Sequence, residues 1–221
     1  MSVYIDVWHR THPLTPEAHA RFLDYYGTIV VAPPSDFFEV VGGFRYTDGP
    51  SNEDFALYRY ASMAKIEESM MSFGADADFI SATEALFREI EIEETRGIAI
   101  HAPYSQEERL DEILSETPVA PRRYVRSVRT CRSAAQPSDF RALGQLRDQI
   151  EKTGRARLVT SFQYLVGPVM DIVELWVLSD GEGHFSSILE GVDPALQAEL
   201  SRIVPERERR GIEPTAFSKL R

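Results

Sequence analysis

The sequence predicts an α+β protein made of two successive βαββαβ units, because an internal repeat and the order of the predicted elements both indicate a duplicated structure. Residues 44–50 and 162–168 share the pattern F-x-Y-x-x-G-P, and the match continues without a gap to Tyr58 and Trp176 at the same offset of 118. The tripeptide R-G-I also recurs near the end of each half. Similarities that recur in the same order at nearly the same offset indicate two copies of one structural unit.

The first copy has the pattern of strands and helices that a βαββαβ unit requires. Residues 3–10 alternate with β-branched residues on one face, which is typical of a strand. Residues 15–17 read T-P-E, a helix start with an N-cap hydroxyl, proline at the first helical position and an acid in the first turn. Strands at 37–46 and 55–60 form a hairpin, and two helical stretches lead to a last strand at 90–100. This order is the ferredoxin-like, or split βαβ, arrangement.

The second copy follows the same order and fixes the predicted domain boundaries. Its first strand is predicted at residues 123–132, and residues 124–127 within it align with residues 4–7 at an offset of 120, which matches Asp6 with Arg126. The stretch between the copies is polar, acidic and proline-containing, and it predicts a linker with one short helix at 107–114. The predicted organisation is a first ferredoxin-like unit at 1–101, a linker at 102–121 and a second unit at 122–221.

Composition and charge exclude several classes of protein. Hydrophobic residues make up 43% and charged residues 27%, which is enough apolar material for a packed core. The net charge of −11, with no basic stripe, makes nucleic-acid binding unexpected. Cys131 is the single cysteine and fits a reducing compartment. No apolar run approaches the ~18 residues that cross a bilayer, so we expect a cytoplasmic protein without membrane association.

Two ferredoxin-like units in one chain are expected to enclose a cavity. One unit covers one face of its sheet with helices and leaves the other face open. Packing two open faces together gives a single-chain dimeric α/β-barrel with a ligand cavity between the sheets. Because side chains alternate along a strand, we expect Val3, Ile5 and Val7 to pack on helices and the other face to line the cavity. The predicted lining is Tyr4, Asp6, Trp8, Tyr58, Tyr124, Arg126, Glu174 and Trp176.

The aromatic members of this lining are the candidate ligand-binding residues, since their rings would stack on a flat, partly polar organic ligand. They are Tyr4, Trp8, Tyr58, Tyr124 and Trp176. The alternative is that several of them are ordinary core residues.

The charged members, Asp6, Glu174 and Arg126, are the candidate catalytic residues. Glu174 stands among apolar positions in I-V-E-L-W-V, where a carboxylate suits a general acid or base. Two alternatives stay open: Glu174 faces water on an edge strand, or Asp6 and Arg126 pair with each other across the repeat.

No metal site is predicted. The five histidines, His9, His12, His19, His101 and His184, do not show the spacing of metal ligands. The pair Gly42-Gly43 has no strand–loop–helix context of a phosphate loop, and it predicts a bulge or kink in a strand that could make room for a ligand.

The third strand of each copy carries a family resemblance. Residues 57–60 read L-Y-R-Y ahead of a capped helix, and residues 174–176 read E-L-W in the second copy. This pattern resembles the NIPSNAP family of the dimeric α/β-barrel superfamily, as does the start of the first strand at 4–11. The second copy departs from the pattern, because Val177 stands where the family has arginine. The resemblance spans both copies and implies the fold and a small-molecule cavity. Its superfamily includes small monooxygenases, polyketide cyclases and haem-degrading enzymes.

Two functions follow from these predictions. The first is a biosynthetic enzyme of oxygenase, cyclase or isomerase type that acts on an aromatic or polyketide-like small molecule with acid–base assistance. The sequence requires no cofactor, although reduced flavin or haem is compatible with it. The second is a non-catalytic protein that binds a small molecule or haem, or serves as a scaffold. Either one is compatible with a homodimer.

Overall fold

The computed structural model describes residues 4–11, 15–31, 38–49, 53–89, 92–118, 121–179 and 185–221. Val3, His12 and His184 therefore lie outside the described residues. The chain divides into two compact units. The first unit extends to Ile98 and also includes Pro214–Leu220, and the second comprises Ala99–Glu213 with Arg221. No helix in the described part of the chain has the length and hydropathy needed to span a membrane.

The first unit has the predicted α+β order. Its elements are β1 (Tyr4–Thr11), α1 (Pro16–Tyr25), β2 (Glu39–Tyr46), β3 (Glu53–Tyr60), α2 (Met63–Ala75), α3 (Ala77–Glu89) and β4 (Glu93–His101), the last three residues of which belong to the second unit. A π-helical segment, Tyr26–Val31, extends α1. The strand order is β1-β3-β2, with antiparallel neighbours.

The second unit continues with a similar order of elements. They are α4 (Glu107–Ser115), β5 (Tyr124–Thr130), α5 (Pro137–Thr153), β6 (Ala156–Val166), β7 (Asp171–Leu178), a 3₁₀ turn (Phe185–Leu189), α6 (Pro194–Ile203) and β8 (Glu206–Pro214). The strand order is β8-β5-β7-β6, again antiparallel. The short helix predicted at 107–114 is confirmed as α4.

The helices begin where the predicted capping residues stand. Thr15 accepts a hydrogen bond from the Ala18 amide, and Ser62 accepts one from the Lys65 amide. Each hydroxyl satisfies an amide that has no partner within its own helix. Helix α5 ends at Gly154, whose φ of 73° is the left-handed conformation that glycine adopts without a Cβ clash.

The strand registers correct the predicted alignment of the two copies. Asp6 lies opposite Tyr58, whereas Val125 lies opposite Trp176. When the hairpins are aligned by F-x-Y, Tyr58 matches Trp176, so Asp6 matches Val125 at an offset of 119 rather than 120. A slip of one residue moves every side chain of a strand to the other face of the sheet. The prediction that Arg126 shares a face with Glu174 and Trp176 is therefore wrong.

Tyr124 is displaced in the same way, because it lies opposite Val177 rather than opposite Trp176. The predicted cavity lining of the second unit is thus divided between two faces of its sheet.

The face of β1 that meets the helices is also the reverse of the predicted one. Tyr4 and Trp8 pack against a cluster that includes Phe22 of α1 and Ile66 of α2. Ile5, on the other face of β1, is also buried. Because both faces of β1 are buried, the position of β-branched residues cannot tell which face the helices cover.

The helix-covered core of the second unit is densely filled. Trp176 of β7 packs there with Leu143 and Leu146 of α5 and with Leu196 and Leu200 of α6.

The glycine pair in β2 forms the predicted bulge, since the register of β2 on β3 shifts between Val40 and Gly42. The Thr215 amide donates to the Gly43 carbonyl at 2.9 Å. A Cβ at Gly43 would lie 2.0 Å from the Phe217 ring. The room at Gly43 is therefore taken by Phe217, and that at Gly42 by Phe44 and Ser218, and not by a ligand as the sequence suggested.

Candidate functional site

The first unit contains a cavity of about 300 Å³ between its sheet and its helices. This volume is at the lower end of the range for small-molecule pockets, roughly 300–1,000 Å³. The walls are mostly aromatic and include Trp8, Phe22, Tyr26, Tyr58, Phe73 and Phe79. They come from β1, α1, the π-helical segment, β3, α2 and α3. The charged residues in the lining are Glu94 and Arg96, both on β4.

Arg96 is held in place by Asp6. The Arg96 Nε donates to Asp6 Oδ1 at 2.8 Å, and its Nη2 donates to Asp6 Oδ2 at 2.5 Å. The Arg96 guanidinium also lies 4.7 Å from the centre of a ring of Trp8. A two-point ion pair and ring stacking together fix the planar guanidinium in one orientation. Asp6 is fully buried, so Arg96 is the member of the pair that faces the cavity.

The hydroxyl groups of Tyr26 and Tyr58 hydrogen-bond to each other in the cavity wall. Burial raises the pKa of both Tyr26 and Tyr58, although the nearby Arg10 cation partly offsets the effect. Both phenols are therefore protonated at neutral pH. The Arg10 guanidinium lies 4.0 Å from the Tyr26 ring centre, a cation–π contact.

Arg10 is the centre of a buried charge network. Its Nη1 donates to Asp54 Oδ1 at 2.8 Å, and its Nε donates to Glu94 Oε2 at 3.2 Å. Asp54 also contacts the His19 ring at 3.1 Å. Among the described residues, Arg10 Nη2 has no hydrogen-bond partner. Arg10 is thus buried between two carboxylates and the Tyr26 ring, and its Nη2 group retains unused capacity to donate a hydrogen bond.

Glu94 is the titratable carboxylate of the cavity lining. Its side chain is 36% exposed, whereas that of Asp54 is 1% exposed. Partial burial raises the pKa of Glu94 and Asp54 adds to this increase, while Arg10 and Arg96 oppose it. A carboxylate with a raised pKa beside an apolar cavity is suited to general acid–base chemistry.

The predicted catalytic residue Glu174 lies in a closed network of the second unit. Tyr104 donates to Glu174 Oε1 at 2.7 Å, and Arg129 Nε donates to its Oε2 at 3.3 Å. Glu174 is 1% exposed, so the alternative of a water-facing glutamate is wrong. A cavity beside Tyr104 measures about 10 Å³, which holds one water molecule at most.

The remaining predicted residues separate into two groups. Trp8 and Tyr58 line the first-unit cavity, and Tyr4 packs against the same cluster. In the second unit, Trp176 is a core residue, as the alternative reading had it, and Arg126 pairs with Glu208 at 3.3 Å. Tyr124 donates to the Arg221 carbonyl at 3.5 Å. Asp6 and Arg126 each have an ion-pair partner in their own unit.

Sequence reasoning missed Glu94, Arg96 and Tyr26. For the first two, the sequence offered only their alternation on one face of β4: Glu94 lies two residues before the repeated R-G-I, and Arg96 is its first residue. Tyr26 carried no such signal, since its position depends on how α1 continues into the π-helical segment.

The cavity lining does not fit haem. Haem iron takes histidine, cysteine, methionine or tyrosine ligands, and the residues that line the cavity include no histidine or cysteine. The Met70 sulfur accepts a hydrogen bond from Arg96 Nη1 at 3.0 Å. The four lining tyrosines also have partners: Tyr26 and Tyr58 bond to each other, Tyr25 bonds to Thr83 and Tyr60 to Ser69. For a flavin phosphate, the lining offers Arg96, which is already paired with Asp6. Within the described residues, no group of three metal-ligating side chains occurs.

Comparison with known proteins finds matches in structure but not in sequence. No family model and no curated protein matches the chain. An anthrone oxidase-like protein matches with a TM-score of 0.59 and 13% identity over 96% of this chain and 91% of that one. A provisionally named monooxygenase from Lactobacillus acidophilus NCFM matches with a TM-score of 0.54 and 9% identity, covering 97% of this chain and 94% of that one.

A third match is chlorite dismutase from Candidatus Nitrospira defluvii in complex with imidazole. Its TM-score is 0.52 and its identity 9%, over 97% of this chain and 92% of that one. The chain shares the α+β fold of these proteins, which are of the dimeric α/β-barrel type. At these identities the likeness establishes the fold alone. Membership of the NIPSNAP family stays a prediction.

Proposed function

We propose that this protein is an oxygenase-type enzyme that oxidises an aromatic, polyketide-like ring ketone in the first-unit cavity. The observation that carries the proposal is an aromatic cavity whose wall also holds a carboxylate of raised pKa, Glu94. The fold shared with an anthrone oxidase-like protein and a provisionally named monooxygenase supports this reaction class. The substrate is flat, so Trp8 and Tyr58 bind it by stacking.

The chemistry needs no cofactor when the substrate itself supplies the electrons. In an anthrone, the CH₂ carbon between two aromatic rings loses one proton to the Glu94 carboxylate, which leaves a delocalised enolate. The enolate then reduces O₂. Anthrone and one O₂ give one anthraquinone and one water: one oxygen atom becomes the new carbonyl, and the other leaves as water. Glu94 serves as the general base, and Asp6 positions Arg96 against the bound rings.

We also propose that the two units derive from one duplicated βαββαβ unit, of which, within the described residues, the first keeps the ligand cavity. The F-x-Y-x-x-G-P repeat and the shared element order support this duplication. On this proposal, the buried network around Glu174 stabilises the second unit rather than acting in catalysis.

The test is turnover of anthrone under air, followed by oxygen uptake and by the absorbance of anthraquinone. We expect Glu94→Gln to lower kcat by roughly 10²–10⁴-fold, the usual contribution of a general base. Glu93→Gln is the matched control, because Glu93 is an exposed neighbour on the same strand that is not part of the cavity lining, and we expect this variant to keep activity. Anthrone that binds but is oxidised no faster than in buffer would refute the enzyme and leave the non-catalytic binding protein.

The pH dependence provides an independent test of Glu94. A general base must be ionised, so the rate falls as the pH drops through the pKa of Glu94. Because that pKa is raised, we expect this acidic limb to lie above the roughly 4.3 of an exposed glutamate. The residual rate of Glu94→Gln is expected to lack the limb. An identical limb in wild type and variant would assign the titration to another group.

A further inference from the structure

The Tyr26–Tyr58 pair has one more proton than its own hydrogen bond uses. Two phenols carry two O–H groups, and one of them donates to the oxygen of the other. Among the described residues, neither hydroxyl has a hydrogen bond other than the one that joins them. Both residues line the cavity and both are buried. A buried donor without an acceptor is costly, so this site favours a ligand that brings an acceptor oxygen.

Arg10 makes that donor stronger. Its guanidinium stacks on the Tyr26 ring at 4.0 Å, and its charge favours the ionised forms of both phenols. A cation 4.0 Å from the ring in a low-dielectric site makes the phenol hydroxyls stronger hydrogen-bond donors. It also favours a negative charge on the oxygen that accepts their hydrogen bond. Arg10 Nη2, which lacks a hydrogen-bond partner in the described part of the chain, provides further attraction for an anion.

The charges around the pair balance if a proton moves from the ligand to Glu94. Before the transfer, Arg10 lies beside two carboxylates, Asp54 and Glu94. After it, Glu94 is neutral and the negative charge is on the ligand oxygen, so Arg10 again faces two anions. The reaction therefore moves one negative charge from Glu94 to the ligand oxygen and leaves the number of negative charges near Arg10 unchanged. This keeps the electrostatic cost of forming the enolate small.

We propose that the Tyr26–Tyr58 hydroxyl pair, backed by Arg10, is an oxyanion-binding site that selects ring ligands able to ionise at oxygen: phenols and enolisable aryl ketones. This inference rests on the proposed function for the reacting ketone, because the pair would hold its enolate oxygen while Glu94 takes the proton. It also makes a claim about binding that holds without turnover. The pair accounts for selectivity between ionisable rings and plain aromatic hydrocarbons, which stacking alone does not provide.

The experiment measures binding of two matched probes at neutral pH. The first is 4-nitro-1-naphthol, an acidic and coloured phenol that binds as its anion. The second is its methyl ether, which has the same rings but no charge. Dissociation constants are measured for wild type, Tyr58→Phe and the double variant Tyr26→Phe/Tyr58→Phe. Tyr60→Phe is the matched control, since Tyr60 lines the same cavity but its hydroxyl bonds to Ser69 rather than to the pair.

We expect wild type to bind the phenolate at least tenfold more tightly than the ether. Each variant that removes pair hydroxyls should lose about tenfold to a hundredfold in phenolate affinity, the effect of a hydrogen bond to a charged group. Ether affinity should stay within about threefold, and Tyr60→Phe should keep the wild-type ratio of the two affinities. Retained ether binding also shows that the variants are folded.

Two results would overturn the inference: a wild type that does not prefer the phenolate, or a double variant that keeps the preference. Anthrone turnover in the same preparations separates this inference from the proposed function. A phenolate preference that depends on the tyrosines, without turnover, supports the oxyanion site and rejects the oxidase. Turnover that depends on Glu94 but survives the double variant does the reverse.

Discussion

The two units use the helix-covered face of the sheet in different ways. In the first unit, Tyr58 lines a cavity of about 300 Å³. In the second, Trp176 at the corresponding place in the repeat lies in a packed core of leucines from α5 and α6. Similar orders of strands and helices thus surround an open space in one case and a filled one in the other.

The buried charges differ in the same sense. Each unit has a buried arginine between two acids, Arg10 in the first and Arg129 in the second. Near Arg10, one of the acids is partly exposed and lines the cavity, and an arginine nitrogen lacks a partner. Near Arg129, Tyr104 and Ser161 complete a closed hydrogen-bonded network around Glu174. The difference is what we expect if, as proposed, the first unit binds a ligand and the second unit contributes stability.

The largest expected effect is on core packing. Trp176→Ala should lower the free energy of unfolding by about 3–5 kcal/mol, because it removes a fully buried ring from a close-packed core. Phe79→Ala, at the wall of the cavity, should cost about 1 kcal/mol, since the ring already borders open space. Urea unfolding of both variants measures the difference. Equal losses would show that the two units are packed alike.

The next effect concerns the buried carboxylates. Glu174→Gln should cost about 2–3 kcal/mol, because Arg129 would lose its hydrogen bond to an ionised partner in a buried site. Glu94→Gln should cost less than about 1 kcal/mol, since Glu94 is partly exposed and Arg10 keeps Asp54 at 2.8 Å. Thermal melts of the two variants are the measurement. A larger loss for Glu94→Gln would reverse the assignment of structural and catalytic roles.

The sequence predicted the helices and strands of both units better than it predicted which face of each strand packs against the helices. The hairpin at Tyr58 and the helix starts at Thr15 and Ser62 follow from local rules of alternation and capping, and the structure has them. The face of β1 does not follow from such rules, because Ile5 and Trp8 are on opposite faces and both pack against other elements.

The candidate site was predicted only in part for a related reason. Trp8 and Tyr58 could be found because they lie on strands with clear alternation. Glu94 and Arg96 become site residues only through the contacts of β4 with Arg10 and Asp6, which are distant in sequence. For the second unit, a slip of one residue in the alignment of β5 placed Arg126 on the wrong face. Register depends on tertiary pairing, and the single tyrosine shared at an offset of 120 led to the wrong alignment.

A smaller effect separates two glycines. Gly43→Ala should destabilise the protein by about 1–3 kcal/mol, because its Cβ would displace the Phe217 ring from the bulge of β2. Gly144→Ala, within α5, should stabilise it by up to about 1 kcal/mol, since its Cβ meets Tyr104 at an ordinary contact distance of 3.5 Å and alanine favours helix. Changes of opposite sign in the free energy of unfolding, measured with denaturant, would confirm the comparison.

Gly43→Ala should also weaken anthrone binding, because Phe217 packs on Tyr26. A neutral Gly43→Ala would show that Phe217 moves aside freely.

The smallest effect is on chemical accessibility, and it needs no mutation. Cys131 is in the packed core of the second unit, and burial raises the pKa of its thiol to about 11. The thiolate is the reactive form, so a thiol reagent at pH 8 should label Cys131 slowly in the native protein and fully in urea. Hydrogen peroxide should oxidise Met71 on α2, which is 69% exposed, faster than Met170, which packs against the second-unit core. Peptide mass spectrometry reads all three residues in one sample. Rapid labelling of Cys131 in the native protein would mean that the second unit opens on the timescale of the labelling reaction. The contrast between a filled second unit and an open first unit would then hold for their average structures but not for their dynamics.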